Sequence, residues 1–305
     1  MHAFVIAAAL ALVAQEPAPP AVVGRWDLNI TAPDGHRLPS WLEVEWSGNR
    51  VLVGRFVGVV GSARPVSKLN FANDTLRWSV PPQWEPGNAD FQYTAVFAGD
   101  SLTGNAITSD GKQFSWSGHR APTLERKGVV RWGVPQRLFN GRDLSGWHVT
   151  GGQNQWKVVK GVLTNTEHGG NLVTDQPYGD FKLHAEFRYP KDGNSGVYLR
   201  GRHEVQVEDT VGHPRSTTSI GGVYGFLLPN QTAAKGAGEW QIYDITLVGR
   251  VVTVVLNGKR VICEQEIPGP TGGALDSNEG APGPIMLQGD HTAVEYRNLV
   301  ITPAQ

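Results

Sequence analysis

The sequence predicts an all-β protein, a small antiparallel β-barrel or sandwich domain followed by a larger antiparallel β-sandwich. Three observations carry this reading. Short runs with period-2 alternation of apolar and polar residues recur from Val22 to Pro303. Turn signals rich in Gly, Asn, Asp and Pro separate them, with no helical crossovers of the kind parallel strands require. The composition agrees: 38 of 305 residues are glycine, well above the usual ~7%. At roughly 100–200 residues per domain, the length suggests two domains.

Taken in order, Ala3–Ala14 is an uninterrupted apolar run of twelve residues followed by the polar, proline-rich QEPAPP. Twelve residues are too few for a hydrocarbon core of ~30 Å, which takes about 20. Residues 1–20 therefore read as a signal peptide and short linker, and the protein is expected to be periplasmic or secreted from a bacterium. No later stretch approaches a membrane span, so an integral membrane protein is not expected.

Residues 21–128 form the first domain. WLEVEW (Trp41–Trp46), RVLVGRFVGVVG (Arg50–Gly61), TLRWSV (Thr75–Val80), FQYTAVFAG (Phe91–Gly99) and QFSWSGHR (Gln113–Arg120) read as strands. Within WLEVEW, Leu42 and Val44 share one face and Glu43 and Glu45 the other. Trp26, Trp41, Trp46, Trp78, Trp84 and Trp116 read as core or turn packing, and nothing in this domain reads as catalytic.

After a linker at Gly128–Pro135, residues 133–305 form the second domain. QWKVVKGVLTN reads as two strands about a tight Lys-Gly turn, and six or more further strands follow without a convincing helix. The net charge is −1 with no basic cluster, which argues against nucleic-acid binding. The single cysteine, Cys263, excludes an intrachain disulfide framework.

Period-2 bookkeeping then picks out candidate functional residues. Over Lys182–Tyr189 the alternation leaves His184, Glu186 and Arg188 on the polar face. In SGVYLRG the outward residues are Tyr198 and Arg200, in HEVQVED they are Glu204, Gln206 and Glu208, and in GPIMLQG they are Met286 and Gln288. A bland wetted face would be rich in Lys, Ser and Thr. Carboxylates, Arg, Gln, His and Tyr together suit a groove for a polyol, so the expected ligand is a carbohydrate.

The strand E-V-Q-V-E resembles the E-x-D-x-E strand of the laminarinase-type glycoside hydrolases, which are jelly rolls, with Gln206 in place of the central Asp. A longer resemblance covers Phe139–Pro303. Ordered blocks include L-F-N-G-R-D-L-S-G-W (Leu138–Trp147), F-K-L-H-A-E-F-R (Phe181–Arg188), N-S-G-V-Y-L-R-G (Asn194–Gly201), H-E-V-Q-V-E-D (His203–Asp209), P-I-M-L-Q-G-D-H (Pro284–His291) and V-E-Y-R-N-L-V-I (Val294–Ile301). Together they resemble the 3-keto-disaccharide hydrolase domain family, whose fold is a concanavalin-like β-sandwich. The resemblance implies cleavage of glycosides already oxidised to a ketone at C3, with a sugar 3-dehydrogenase acting upstream.

For that chemistry Glu204 is the expected base, Arg200 the expected enolate stabiliser and His291 the expected proton donor. Glu186, Asn194, Tyr198, Gln206, Glu208, Asp209, Tyr224 and Gln288 are expected to bind the substrate. His184, Glu186, Glu204, Glu208, Asp209 and His291 also supply enough donors for a divalent ion such as Ca²⁺, Mn²⁺ or Zn²⁺. Two alternatives stay open at this level: a non-catalytic carbohydrate-binding sandwich, and a retaining endo-β-glucanase using Glu204 and Glu208.

Overall fold

The computed structural model describes residues 18–305 apart from Pro33, Asn49, Arg50 and Lys127. The apolar run read as a signal peptide lies outside the described residues. Within them no helix is long and apolar enough to cross a membrane.

The first domain is a closed antiparallel barrel of eight consecutively paired strands, β1 (Gly24–Thr31), β2 (Arg37–Ser47), β3 (Val51–Val57), β4 (Arg64–Ala72), β5 (Thr75–Val80), β6 (Phe91–Ala98), β7 (Ser101–Ile107) and β8 (Gln113–Arg120). Pairing of β1 with β8 closes it and removes both sheet edges. Alternation places Trp26, Leu28, Leu42, Val44, Phe56 and Trp78 inside. Trp78 stacks on Tyr93 at 4.8 Å within this core.

The second domain is a sandwich. One sheet has the order β10 (Trp147–Thr150), β13 (Asn171–Thr174), β20 (Met286–Leu287), β15 (Asn194–Leu199), β16 (His203–Glu208). The other runs β11 (Trp156–Val159), β12 (Val162–Asn165), β21 (Val294–Pro303), β14 (Phe181–Arg188), β17 (Gln241–Val248), β18 (Val251–Leu256), β19 (Lys259–Glu266), with β9 (Gln136–Arg137) joining at β21. The expected Lys160-Gly161 turn is present with both residues at positive φ (51° and 79°), the conformation that two-residue hairpins require. Val197, Leu199, Val205 and Val207 of the first sheet meet Leu183, Ala185, Phe187 and Tyr243 of the second in one core.

The two domains share that core. Trp41, on the outer face of the barrel, packs edge-on against Phe226 of the sandwich at 5.3 Å. Glu43, read as polar-face, is buried here, where it accepts hydrogen bonds from Arg25 (3.0 Å) and Arg55 (2.8 Å). The barrel loop after β3 reaches further, and Gly273 N–H donates to the Val59 carbonyl at 2.8 Å.

Candidate active site

A cleft of about 500 Å³ lies where that barrel loop meets the outer face of the five-stranded sheet. Its sandwich side is built by β15 and β16, which pair in register so that Tyr198 lies opposite Glu204 and Gly196 opposite Gln206. Strand alternation sends Val197, Val205 and Val207 into the core, and therefore Tyr198, Glu204 and Gln206 into the cleft. Gly196 makes this possible: a Cβ there would lie 2.3 Å from Glu204 Oε1. Asn194, Tyr224, Gln288, Asp290 and His291 complete the sandwich side, and the barrel adds Val60, Gly61 and Trp84.

Glu204 is buried, and burial pushes its carboxyl up to about 8. The Tyr198 hydroxyl lies 2.9 Å from Glu204 Oε2 and also 2.9 Å from the Gly272 carbonyl. One phenolic proton cannot go to both. When it goes to Glu204 it favours the ionised carboxylate and offsets part of the effect of burial. His291 Nδ1 lies 2.7 Å from Asp290 Oδ1. That hydrogen bond raises the histidine pKa, assisted by the negative charges of Glu204 and Glu208. The cleft thus pairs a carboxyl that resists ionisation with an imidazole that holds its proton. Gln288 Oε1 is buried without a hydrogen-bond partner, so the wall keeps an acceptor that a ligand hydroxyl can satisfy.

Of the residues singled out in the sequence, the cleft brings together Asn194, Tyr198, Glu204, Gln206, Tyr224, Gln288 and His291. Glu208 lies just beyond, its Oε2 3.4 Å from Gln206 Nε2. Three expectations are corrected. Arg200 follows the end of β15 at φ 53°, so the alternation stops one residue before it. Its guanidinium turns away to the Gly179 carbonyl (2.8 Å) and Asp180 (2.7 Å), in a recess that Glu204 does not line. Glu186 sits on β14 of the other sheet, on the opposite outside of the sandwich, where Arg297 (2.6 Å) and Asn298 (2.7 Å) bind its carboxylate. Asp209 accepts the Asp192 N–H at 3.1 Å and caps a turn.

The divalent-ion donor set is divided in the same way. His184 lies beside Glu186 on the far sheet and binds Asp244 at 2.7 Å. Among the described residues no three His, Cys, Asp or Glu groups converge at metal-binding spacing. The donors expected to share one ion are thus divided between the two outer faces of the sandwich.

Trp84, expected from the sequence to be core or turn packing, is neither. It is 71% exposed and lines the cleft, in a loop with no strand periodicity to mark which way it faces. A larger recess, about 810 Å³, lies between the barrel and the eight-stranded sheet, but Arg25 and Glu266 pair with each other there. It holds no acid–base pair of the kind formed by Glu204 and His291.

The outer sheet face carries a buried carboxyl, a histidine–aspartate pair and several carboxamides, and with the family match that follows this supports a carbohydrate-active enzyme built on a jelly-roll sandwich. Residues 134–302 match the family model described as the 3-keto-alpha-glucoside-1,2-lyase-like domain, and the chain belongs to that family. Similar solved structures include two candidate glycosyl hydrolases from Parabacteroides distasonis. One is 30% identical, with 58% of this chain and 92% of that chain covered at a TM-score of 0.49. The other is 25% identical, with 55% and 98% covered at 0.45. A β-glucanase from Bacillus licheniformis is 13% identical, with 59% and 100% covered at 0.37. No curated protein matches the chain significantly.

Proposed function

We propose that the protein cleaves 3-keto-glycosides by elimination followed by hydration. The C3 ketone acidifies the C2 proton. Ionised Glu204 removes that proton, and the electron pair enters the enolate. Collapse of the enolate forms the C1–C2 double bond and breaks the bond from C1 to the glycosidic oxygen, which takes a proton from His291. Water then adds across the enone, with OH at C1 and H at C2, to give the 3-keto sugar. A ketone must be supplied by an oxidoreductase that acts on the sugar beforehand.

The observation that carries this reading is the placement of Glu204, buried in one cleft with Tyr198 and His291. Burial pushes its pKa up to about 8, which makes it a stronger base, once ionised, than an ordinary carboxylate. With Arg200 turned away, the enolate oxygen is left to the amide N–H groups of Asn194, Gln206 and Gln288 and the Tyr224 hydroxyl. A retaining glucanase of the laminarinase type would use Glu204 and Glu208 at this spacing, but the Asp that stands between them in that strand is Gln206 here, and a carboxamide cannot tune the two carboxyls by charge.

The test is aglycone release from a 3-keto glucoside and from its unoxidised parent, with and without EDTA, the keto reaction being repeated in D₂O. Release from the keto substrate alone, with deuterium at C2 of the product, is expected. Equal release from both substrates, or product without deuterium at C2, would count against elimination.

A further inference from the structure

We propose that Trp84 of the barrel is the leaving-group subsite of this cleft, a stacking platform for a ring with an apolar face carried on the C1 oxygen. The proposal rests on the reading of the cleft as the site of glycoside cleavage and extends it to the substrate class.

The two sides of the cleft differ in chemistry. The sandwich side carries every acid–base and carboxamide group, so the oxidised sugar must lie there. The barrel side offers Val60, Gly61 and Trp84, none of which can move a proton in this reaction. What that side provides is contact, and the part of the substrate that needs contact without chemistry is the group that departs from C1.

Trp84 is exposed but not loose. Glu85 accepts the backbone N–H groups of Gln83 (2.7 Å) and Trp84 (3.1 Å) and pairs with Arg64 at 3.0 Å. Arg64, itself buried, also donates to the Pro81 carbonyl at 2.8 Å. The Gln83 side chain is doubly bonded to Ser62, donating to its hydroxyl (2.8 Å) and accepting its N–H (3.0 Å). Burial pushes the Glu85 pKa up, but these N–H groups and Arg64 outweigh it and hold the carboxylate below its usual value. The loop also presses against Gly61, where a Cβ would lie 2.4 Å from Gln83 Oε1 and 3.1 Å from Trp84 Cδ1.

A large indole left in water on so firmly held a loop is preorganised, since its ordering cost is met before any ligand arrives. Its flat face supplies the apolar area that a pyranose or aryl ring covers on stacking. Trp84 and Tyr224 line the same cleft, which ties the platform to its polar side.

The test uses the full chain, Trp84→Ala and Trp84→Phe with three 3-keto substrates: the methyl glucoside, the 4-nitrophenyl glucoside and a glucosyl-glucose disaccharide. Trp84→Ala should raise KM for a ring-bearing substrate about tenfold more than for the methyl glucoside, with kcat changed less, and Trp84→Phe should recover most of the loss. A response confined to the aryl substrate assigns an aromatic leaving group, and one confined to the disaccharide assigns a sugar. An equal change on all three, or none, overturns the proposal. Calorimetric binding of unoxidised 4-nitrophenyl glucoside and disaccharide separates the two levels of inference. If the wild type cleaves no keto substrate, the proposed function falls. The platform then stands only if the wild type binds these rings and Trp84→Ala does not.

Discussion

Replacing Glu204 by Gln, with the pH profile of the wild type beside it, tests the core of the mechanism. The substrate of choice is 3-keto 4-nitrophenyl glucoside, because its phenolate departs without help from His291 and leaves the base as the titrating group. With the Glu204 pKa at about 8, ionisation falls to roughly 10% at pH 7 and roughly 1% at pH 6. A base must be ionised to act, so kcat/KM should climb about tenfold per pH unit from 6 to 7 and level off above roughly 9. Glu204→Gln keeps the shape and a contact for Tyr198, and should lower kcat by about 10²–10⁴ at pH 9. The Tyr198 hydrogen bond lowers the Glu204 pKa against burial, so Tyr198→Phe should move the limb to higher pH. A merely structural tyrosine would not shift it. Activity greatest near pH 5–6 and falling toward 8 would mean that protonated Glu204 is the working form, and the assignment of base would be wrong. With a poorer leaving group His291 enters, and the limbs then belong to the interacting pair.

Three further outcomes follow from the same structure. Gly272→Ala places a Cβ 2.2 Å from the Gly61 carbonyl, so the barrel loop must withdraw; water reaching Glu204 should shift the acid limb of the pH profile downward, and a limb unchanged despite a lower Tm would refute this. Arg200→Gln should cost about 1–3 kcal/mol in denaturant unfolding, because Asp180 loses one of the partners that also include Arg126 and the Gly249 N–H, while kcat/KM per folded molecule stays at the wild-type value. Burial and the neighbouring Glu279 push the Asp27 pKa well above the carboxylate range; stability should therefore fall as pH rises from Asp27's unfolded value, and calorimetry should find Asp27→Asn less steep in that window.

The residues that were legible in the sequence are those governed by strand periodicity alone. Tyr198, Glu204 and Gln206 lie within two adjoining strands, where Val197, Val205 and Val207 mark the buried face and leave one position for each polar neighbour. The same rule failed at Arg200 because it extends only as far as the strand, and the left-handed residue after Leu199 ends it. Glu186 failed for another reason. Alternation tells which face of a sheet a residue takes but not which sheet its strand joins, and β14 pairs with β17 and β21 rather than with β15. Trp84 lay beyond both rules. Its position depends on Glu85, Arg64 and Ser62, residues of two separate segments whose meeting no local pattern announces.

The barrel therefore matters to the chemistry as well as to the outline of the cleft. Free in water Glu204 would titrate near the ordinary glutamate value of 4.5, ionised at neutral pH and a weak base. The seam in which Gly61 meets Gly272 runs beside that carboxyl, because the Gly272 carbonyl and Glu204 share the Tyr198 hydroxyl, and loss of solvent raises its proton affinity. The strand motif determines which atom takes the proton. The domain contact determines how strongly that atom wants it, and the same contact carries the loop that presents Trp84. Glu204's burial and the cleft's aromatic wall are thus two results of one packing event, which is why neither was visible from the sandwich residues taken alone.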